Sequence, residues 1–208
     1  MKHISNDTIA IALKPFGFAP DDRFCDHVRT YIDLLLRWNQ KTSLTAVTDP
    51  AEILRLHFGE SVLAAATVPI RHGRLADVGS GAGFPAVPIR MVSEDLSLIL
   101  IESNLKKATF LAELVRELPL KNVDVRRCRM EDLELGKEKV DFVTARALGI
   151  DDRFLEWSRN ALDADGSVVL WLGEFDSSRV SQKMSWKWAS PVRIPLSERR
   201  VILRGTKL

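Results

Sequence analysis

One stretch constrains the fold of this chain more than any other, because three of its residues are glycines at alternate positions. Gly79, Gly81 and Gly83 follow the mostly apolar run 75–78 and precede a segment that can begin a helix. Glycine adopts positive φ without strain and lets a ligand approach the backbone closely. The first turn of the following helix would offer free N–H groups to an anionic or polar group. The stretch therefore predicts a strand, a ligand-binding turn and a helix.

The spacing of the glycines separates two kinds of nucleotide site. A dinucleotide fingerprint needs G-x-G-x-x-G, but its third glycine is replaced by Phe84 when counted from Gly79 and by Ala86 when counted from Gly81. Alternating glycines preceded by an acid, here Asp77, instead resemble the first motif of class I S-adenosylmethionine (AdoMet) methyltransferases. We therefore predict an AdoMet site at this turn.

A second acidic residue supports this interpretation. Glu102 ends the apolar run 98–101, about 20 residues after the turn, where such folds place a carboxylate that accepts hydrogen bonds from ribose hydroxyls. The same features also fit a tight strand-to-helix turn followed by an unrelated acid. On these residues alone both interpretations stay open, and the cofactor site is favoured.

The composition excludes several classes of protein. The chain has 208 residues, of which 46% are hydrophobic, so it can bury an ordinary core as one α/β domain with an appendage or as two small domains. A net charge of +2 does not by itself predict nucleic-acid binding. Cys25 and Cys128 lie too far apart to suggest a disulfide framework or a zinc site, so we expect no metal. No apolar run approaches 18 residues and the first residues do not resemble a signal peptide, so we expect a soluble, cytoplasmic protein.

The pattern of apolar residues changes near residue 74. We expect residues 1–73 to form an N-terminal helical extension and residues 74–208 an AdoMet-binding methyltransferase domain, the two packed as one unit. The predicted helices of the extension are 5–13, a longer helix capped by Asp21 or Asp22 and reaching Trp38, and 49–66, with a polar loop at 39–48.

Alternating strands and helices after residue 74 predict a largely parallel sheet covered on both faces. The predicted strands are 74–78, 97–101, 122–127, 140–145 and 167–172, followed by two further strands in the tail, 185–194 and 199–204. The predicted helices are 84–92, 104–118 and 150–162, with a short turn near 131–135.

Several motifs in a fixed order carry a more selective resemblance. They are Arg37-Trp-Asn39 with Leu44-Thr45, His57 with Ser61, Asp77 to Pro85, Glu102-Ser-Asn104 with Lys106-Lys107, Asp141 with Ala145-Arg146-Ala147, and Glu198-Arg199. In this order they resemble the ribosomal RNA small subunit methyltransferase G family, also called GidB. The match is nearly collinear from about residue 30 to the C-terminus.

The resemblance implies a fold, an activity and a set of contacts. The fold is a class I AdoMet-dependent methyltransferase, Rossmann-like, with a mostly parallel seven-stranded sheet closed by an antiparallel hairpin. The activity is transfer of a methyl group from S-adenosyl-L-methionine to N7 of a guanine in the 530 loop of 16S rRNA, by a monomer acting on 16S rRNA, the 30S subunit or its assembly intermediate. The expected cofactor-binding residues are Asp77, Gly79, Ser80, Gly81, Gly83, Phe84, Glu102, Ser103, Met130, Glu131 and Arg146.

The chain departs from the family pattern at a few positions. Ala86 stands where glycine is usual, Ser43 where asparagine is usual, and Glu60 where aspartate is usual. Leu172 replaces a lysine that is common at the end of the fifth strand. Two alternatives therefore stay open: AdoMet-dependent methylation of another RNA, a protein or a small molecule, and a catalytically silent AdoMet-fold RNA-binding module.

The chemistry of guanine N7 fits the absence of a recognisable catalytic base in the sequence. N7 has a lone pair and no proton to lose, so the enzyme mainly has to hold it in line with the S–methyl bond. Methylation of cytosine C5 needs a cysteine nucleophile, and neither cysteine stands in a Pro-Cys or Thr-Cys motif. Methylation of an adenine amino group typically shows an Asn/Asp-Pro-Pro-aromatic stretch, but residues 144–147 are Thr-Ala-Arg-Ala. Both alternatives are therefore disfavoured. Arg146 is the one candidate for positioning the cofactor or the target nucleotide.

Basic residues suggest where RNA could bind. The candidates are Lys106, Lys107, Arg126, Arg127, Arg199 and Arg200. Residues 177–208 hold eight Lys and Arg residues against one acidic residue, which favours contact with a phosphate backbone. A hairpin with basic residues exposed to solvent explains the same pattern. His57 and Ser61 share a helix face, and we interpret them as structural or substrate-positioning.

Overall fold

Four helices precede the first strand in the computed structural model, which describes residues 4–68, 70–133, 135 and 138–208. They are α1 (Asn6–Leu13), α2 (Asp22–Asn39), α3 (Pro50–Ile53) and α4 (Glu60–Thr67), with a 3₁₀ turn at Lys14–Phe16. Polar side chains cap α1, α2 and α3: Ser5, Asp21 and Asp49 each accept a hydrogen bond from a backbone N–H of the first turn. The helix predicted over 49–66 is confirmed in extent, but a π-helical segment, Leu54–Gly59, joins α3 to α4.

Eight strands form one sheet in the described part of the chain. They are β1 (His72–Val78), β2 (Asp95–Ile101), β3 (Val123–Arg126), β4 (Val140–Arg146), β5 (Leu162–Gly173), β6 (Trp186–Trp188), β7 (Val192–Arg193) and β8 (Arg200–Lys207). The order is β3-β2-β1-β4-β5-β8-β6, and β7 pairs with β8. The first five strands are parallel, and β8 is antiparallel to β5. The predicted parallel sheet with an antiparallel end is confirmed, but the described residues form eight strands where seven were predicted.

The helices that connect the strands lie on both faces of the sheet. They are α5 (Ala86–Val92), α6 (Leu105–Glu117), α7 (Asp152–Ala161) and α8 (Glu174–Val180), with a 3₁₀ turn at Met130–Asp132. The strand order reverses at β1, since the chain runs from β1 to β2 and β3 on one side and returns to β4 on the other. In open α/β sheets, ligands bind outside the carboxyl ends of the strands at such a switch point. The turn predicted near 131–135 overlaps the 3₁₀ turn at Met130–Asp132, and residue 134 of it lies outside the described residues.

The tail differs from its prediction in two ways. The strand predicted over 185–194 is an edge strand broken into β6 and β7, which pair with successive parts of β8. Pro191 stands at the break, and proline has no N–H to donate to a sheet ladder. Helix α8, after β5, was not predicted.

One core joins the N-terminal helices to the sheet. Buried side chains from Ile9 to Ile202 form a single cluster on one face, and it includes Tyr31, Phe58 and Phe110. A second cluster, under α7 and α8, covers the other face and includes Phe154. None of the described helices is long and apolar enough to cross a membrane.

Candidate functional site

The glycine turn leaves β1 at Val78 and is tied to the end of β2. Gly79, Gly81 and Gly83 have φ of 70°, 55° and 88°, the left-handed region that favours glycine. The amides of Gly79 and Ser80 donate to the carbonyl of Ile101 at 2.9 and 3.1 Å. The turn is therefore fixed by backbone hydrogen bonds at the carboxyl edge of the sheet.

Helix α2 holds the far side of the turn. The Tyr31 hydroxyl donates to the Ala82 carbonyl at 2.5 Å, and its ring stacks on Phe84 with centroids 4.8 Å apart. A Cβ at Gly83 would lie 2.6 Å from Tyr31 Oη and 3.0 Å from Val87 Cγ2. Gly83, predicted among the cofactor-binding residues, thus faces the N-terminal helix and not the cleft.

Asp77 lies beneath the turn. Its Oδ1 accepts a hydrogen bond of 2.6 Å from Thr144 Oγ1, and the Ser80 hydroxyl donates to its backbone carbonyl. Its Oδ2 is buried and has no hydrogen-bond partner among the described residues. Burial raises the pKa of Asp77 to about 7, although the Thr144 hydrogen bond opposes that shift.

Glu102 lies at the end of β2 and bridges two backbone segments. Its Oε2 accepts from the Gly81 amide at 2.9 Å and its Oε1 from the Asn104 amide at 2.8 Å. A carboxylate has about four lone-pair sites. Two of them are used here, so two acceptor sites remain, although Glu102 is nearly buried and is not among the residues that line the two cavities described below.

Two cavities meet at Gly79, at the switch point between β1 and β4. The first, here called the Met130 cavity, has a volume of about 310 Å³, and the second, the His57 cavity, about 270 Å³. The Met130 cavity is lined by residues that include Gly79, Ser103, Met130, Glu131, Leu148 and Asp151. The His57 cavity is lined by Leu44, Thr45, His57, Gly79, Ser80, Gly81, Ala82, Phe84, Lys107, Arg146 and Ala147. The structure therefore brings most of the predicted cofactor residues to one cleft.

Arg146 ends β4 and contacts the π-helical segment. Its Nη2 donates to the Leu56 carbonyl at 2.9 Å and lies 3.1 Å from His57 Nδ1. Its Nη1 is buried and finds no acceptor in the described part of the chain. Burial, reinforced by the Arg146 charge, lowers the pKa of His57 to about 4, so the imidazole is neutral at neutral pH.

The buried carboxylate of Glu60 lies close to two arginine side chains, Arg146 and Arg200. Glu60 is only 1% exposed, with Oε1 2.7 Å from Arg200 Nη1 and Oε2 3.7 Å from Arg146 Nη2. Arg200, predicted as an RNA contact, is thus engaged in an ion pair inside the protein, although its side chain is still 38% exposed. The Ser61 hydroxyl donates to the His57 carbonyl at 2.6 Å, which is a contact within the helix.

The other predicted RNA contacts lie along the same edge of the sheet as the cleft. Lys106 and Lys107 occupy the first turn of α6, and Arg126 and Arg127 stand at the end of β3. Arg199 precedes β8, whose first residue pairs with Gly173 at the end of β5. Part of the basic tail is paired with acids: Arg179 with Asp176, Lys183 with Asp152, and Arg193 with Glu174.

Thr45 is a site residue that was not predicted from the sequence. The Leu44-Thr45 pair stood out only as part of a motif, yet Thr45 lines the His57 cavity and its Oγ1 lies 3.0 Å from His57 Nε2. The available signal was a polar loop between two helices, with Leu44 as an internal apolar anchor. Nothing in that pattern places the loop beside β4.

Comparison with known proteins relates the chain to one family. A family model described as "GidB: rRNA small subunit methyltransferase G" matches residues 25–193. The ribosomal RNA small subunit methyltransferase G of Nitrosomonas europaea is 34% identical over 171 residues, which cover 80% of this chain and 78% of the relative. That of Halorhodospira halophila is 38% identical over 149 residues, covering 72% and 69%.

Solved structures resemble the fold. A SAM-dependent methyltransferase from Aquifex aeolicus superposes with a TM-score of 0.63 at 19% identity, covering 77% of this chain and 94% of that one. M. jannaschii TYW2 in complex with AdoMet gives a TM-score of 0.56 at 18% identity, covering 73% and 76%. The predicted class I methyltransferase fold is confirmed.

Proposed function

Because the chain belongs to the rRNA small subunit methyltransferase G family, we propose that it methylates N7 of a guanine in the 530 loop of 16S rRNA. Family membership makes it an AdoMet-dependent rRNA methyltransferase. The atom, the base and the loop are the proposal. We further propose that it acts as a monomer in the cytoplasm, on 16S rRNA, the 30S subunit or its assembly intermediate.

The residues of the cleft fit AdoMet. Gly79 has no Cβ where the two cavities meet, so a long ligand can pass from one to the other. Glu102 keeps two acceptor sites for ribose hydroxyls, and Arg146 Nη1 offers a charged donor to a carboxylate. The buried Asp77 adds a group that can become negative beneath a cationic ligand. AdoMet supplies an electrophilic methyl group on its sulfonium.

One observation carries the choice of N7: the His57 cavity is built to orient a base and not to deprotonate it. Its described lining contains no Asp, Glu or Cys side chain. Its imidazole is engaged at both ring nitrogens, by Arg146 and by Thr45. Amino and carbon nucleophiles must lose a proton, whereas N7 attacks with its lone pair. Positioning alone therefore suffices for this reaction.

Labelled methyl transfer tests the proposal. The purified protein with methyl-labelled AdoMet should label 16S rRNA, and chain cleavage specific for N7-methylguanine should map the label to the 530 loop. Arg146→Ala should reduce transfer, because it removes a donor from the cavity wall. Arg159→Ala, on the exposed last turn of α7, is the matched control and should transfer normally. Label in another RNA, a protein or a small molecule, or cofactor binding without transfer, would refute the assignment.

A further inference from the structure

The loop before α3 is fixed around Thr45 by a single side chain. Asn39 Oδ1 accepts from the amides of Leu44 and Thr45 at 2.8 and 3.1 Å, and its Nδ2 donates to the Thr45 carbonyl at 2.8 Å. Both backbone polar groups of Thr45 are therefore held from the end of α2. A residue outside any helix or strand thus has a defined position in the wall of the His57 cavity.

The hydrogen-bond network assigns the proton of His57. A guanidinium can only donate, so His57 Nδ1 must accept from Arg146 Nη2. The imidazole is neutral, so its one proton is on Nε2. Nε2 then donates to Thr45 Oγ1 at 3.0 Å. Arg146 thereby sets the direction of the bond between His57 and Thr45.

The Thr45 hydroxyl has one hydrogen bond left to make. Its Oγ1 also accepts from the Val47 amide at 3.1 Å. A hydroxyl has two acceptor sites and one donor, and both acceptor sites are now used. The remaining O–H has no acceptor among the residues that the structure describes, and Thr45 lines the cavity. The cavity therefore presents a neutral group that can donate and cannot accept.

The chemistry of the cavity indicates which ligand atom this donor serves. Arg146 and Lys107 also line it, and their charges suit an anionic group such as a carboxylate or a phosphate. The uncharged hydroxyl suits a neutral carbonyl oxygen. Guanine carries such an oxygen, O6, on the same edge as N7, whereas adenine carries an amino donor there.

We infer that the Thr45 hydroxyl donates to O6 of the target guanine and so selects guanine over adenine at the methylation site. The inference rests on the proposed function, since it assigns a contact within that reaction. His57 and Arg146 act as positioning residues, because they fix the hydroxyl as a donor. A site built to hydrogen-bond one substrate group discriminates strongly against an analogue that lacks it.

The test removes the hydroxyl from the protein and the oxygen from the base. Substrates are 30S particles reconstituted with 16S rRNA that carries guanine or 2-aminopurine at the target position, the latter keeping N7 and lacking O6. We expect the wild-type enzyme to prefer guanine by about 10- to 100-fold in kcat/KM. Thr45→Val should lose most of that preference and leave AdoMet affinity unchanged, whereas Thr45→Ser, which keeps the hydroxyl, should retain it. Thr48→Val, an exposed site on the same loop, is the matched control.

Each other outcome has a defined meaning. If Thr45→Val retains the preference for guanine, or if Thr45→Ser loses as much of it as Thr45→Val, the role of Thr45 is structural and the inference is wrong. If Thr45→Val weakens AdoMet binding and keeps the preference, the hydroxyl serves the cofactor, which also overturns it. A wild-type enzyme that leaves guanine N7 unmodified overturns the proposed function itself, and that result is read before any variant is compared.

Discussion

Asp77 and Glu102 end neighbouring strands but have different environments. Glu102 accepts hydrogen bonds from two backbone amides, whereas the Asp77 carboxyl is almost completely covered and accepts one hydrogen bond, from Thr144. Removal from water without a full set of donors disfavours the carboxylate, and this burial raises the pKa of Asp77 to about 7. The pKa of Asp77 therefore differs from its ordinary value, and its charge changes near neutral pH.

Asp77→Asn tests this difference through stability. The native state keeps the Asp77 proton up to about pH 7, while the unfolded chain loses it near pH 4, so wild-type stability falls as the pH rises between those values. Asparagine is uncharged and can keep the Thr144 hydrogen bond. The free energy of unfolding of the variant minus that of the wild type should rise with pH by up to about 1.4 kcal/mol per unit and level off above pH 7. Urea denaturation at pH 5 to 8 measures it, and a pH-independent difference would contradict the assignment.

How far single residues could be predicted depended on their separation along the chain. Gly79 and Glu102 follow from local spacing, because a strand, a turn and the next strand place them together in every fold of this kind. Thr45, His57 and Arg146 meet only because helices from the first third of the chain pack beside β4. No local pattern encodes that packing.

One departure from the family pattern has a structural account. Ala86, where glycine is usual, is completely buried at the start of α5 and does not line either cavity. Its methyl group packs into the core and leaves the cleft unchanged. Leu172 is buried in β5, and nothing in the structure explains the loss of the lysine there.

At the scale of elements, the glycine turn is a junction between α2 and the sheet. The two glycines at its ends serve different purposes: Gly83 makes room for Tyr31, while a Cβ at Gly79 would meet only Leu148, at 3.8 Å, and would stand between the two cavities. Two glycines of one sequence motif therefore have different roles, Gly83 in packing and Gly79 in binding.

The pair Gly83→Ala and Gly79→Ala separates these roles. Both place alanine at positive φ, which costs about 1–2 kcal/mol. Gly83→Ala adds a clash with Tyr31 and Val87, so we expect an additional loss of about 1–3 kcal/mol from overpacking. Gly79→Ala should unfold closer to the wild type but bind AdoMet more weakly. Thermal denaturation and calorimetric titration measure the two effects, and equal destabilisation by both substitutions would refute the distinction.

Element boundaries were predictable where a cap or a breaker stands in the sequence. Asp21 and Asp49 start helices as their side chains suggest. The π-helical segment around His57 could not be predicted, because one wider turn changes the periodicity too little to detect among so few residues. The helix predicted from residue 84 starts at Ala86, since Phe84 and Pro85 still belong to the turn.

At the scale of the whole molecule, basic residues from different segments of the sequence lie at one edge of the sheet. The candidates Lys106, Arg127 and Arg199 follow or precede strands that all end at the cofactor edge. The tail, residues 177–208, holds eight of the 30 Lys and Arg residues, and part of their charge is engaged in ion pairs. The edge of the sheet, including Arg199 of the tail, is therefore the surface that we expect to face RNA phosphates.

Lys106→Glu separates stability from RNA affinity. An acid in the first turn of α6 is favoured by the helix dipole, so the variant should gain about 0.3–1 kcal/mol in stability. Loss of one phosphate contact should weaken binding to 16S rRNA and reduce the slope of log K against log salt by about one. Lys121→Glu makes the same charge change at the opposite edge, before β3, and is the matched control. Equal salt slopes for the two variants would count against the assigned surface.

The hydrogen bond from Tyr31 to Ala82 also has a consequence for how the protein is made. Helix α2 packs its aromatic side chains against partners made much later, such as Phe84 in the turn and Phe110 in α6, which contacts Trp38. At about 5–20 residues per second, some 4 to 16 seconds separate the synthesis of Tyr31 from that of Phe110. During that interval the apolar face of α2 lacks these partners, and transiently exposed apolar surface of this kind is what chaperones protect. Helix α2 can complete these contacts only after Phe110 has been synthesised.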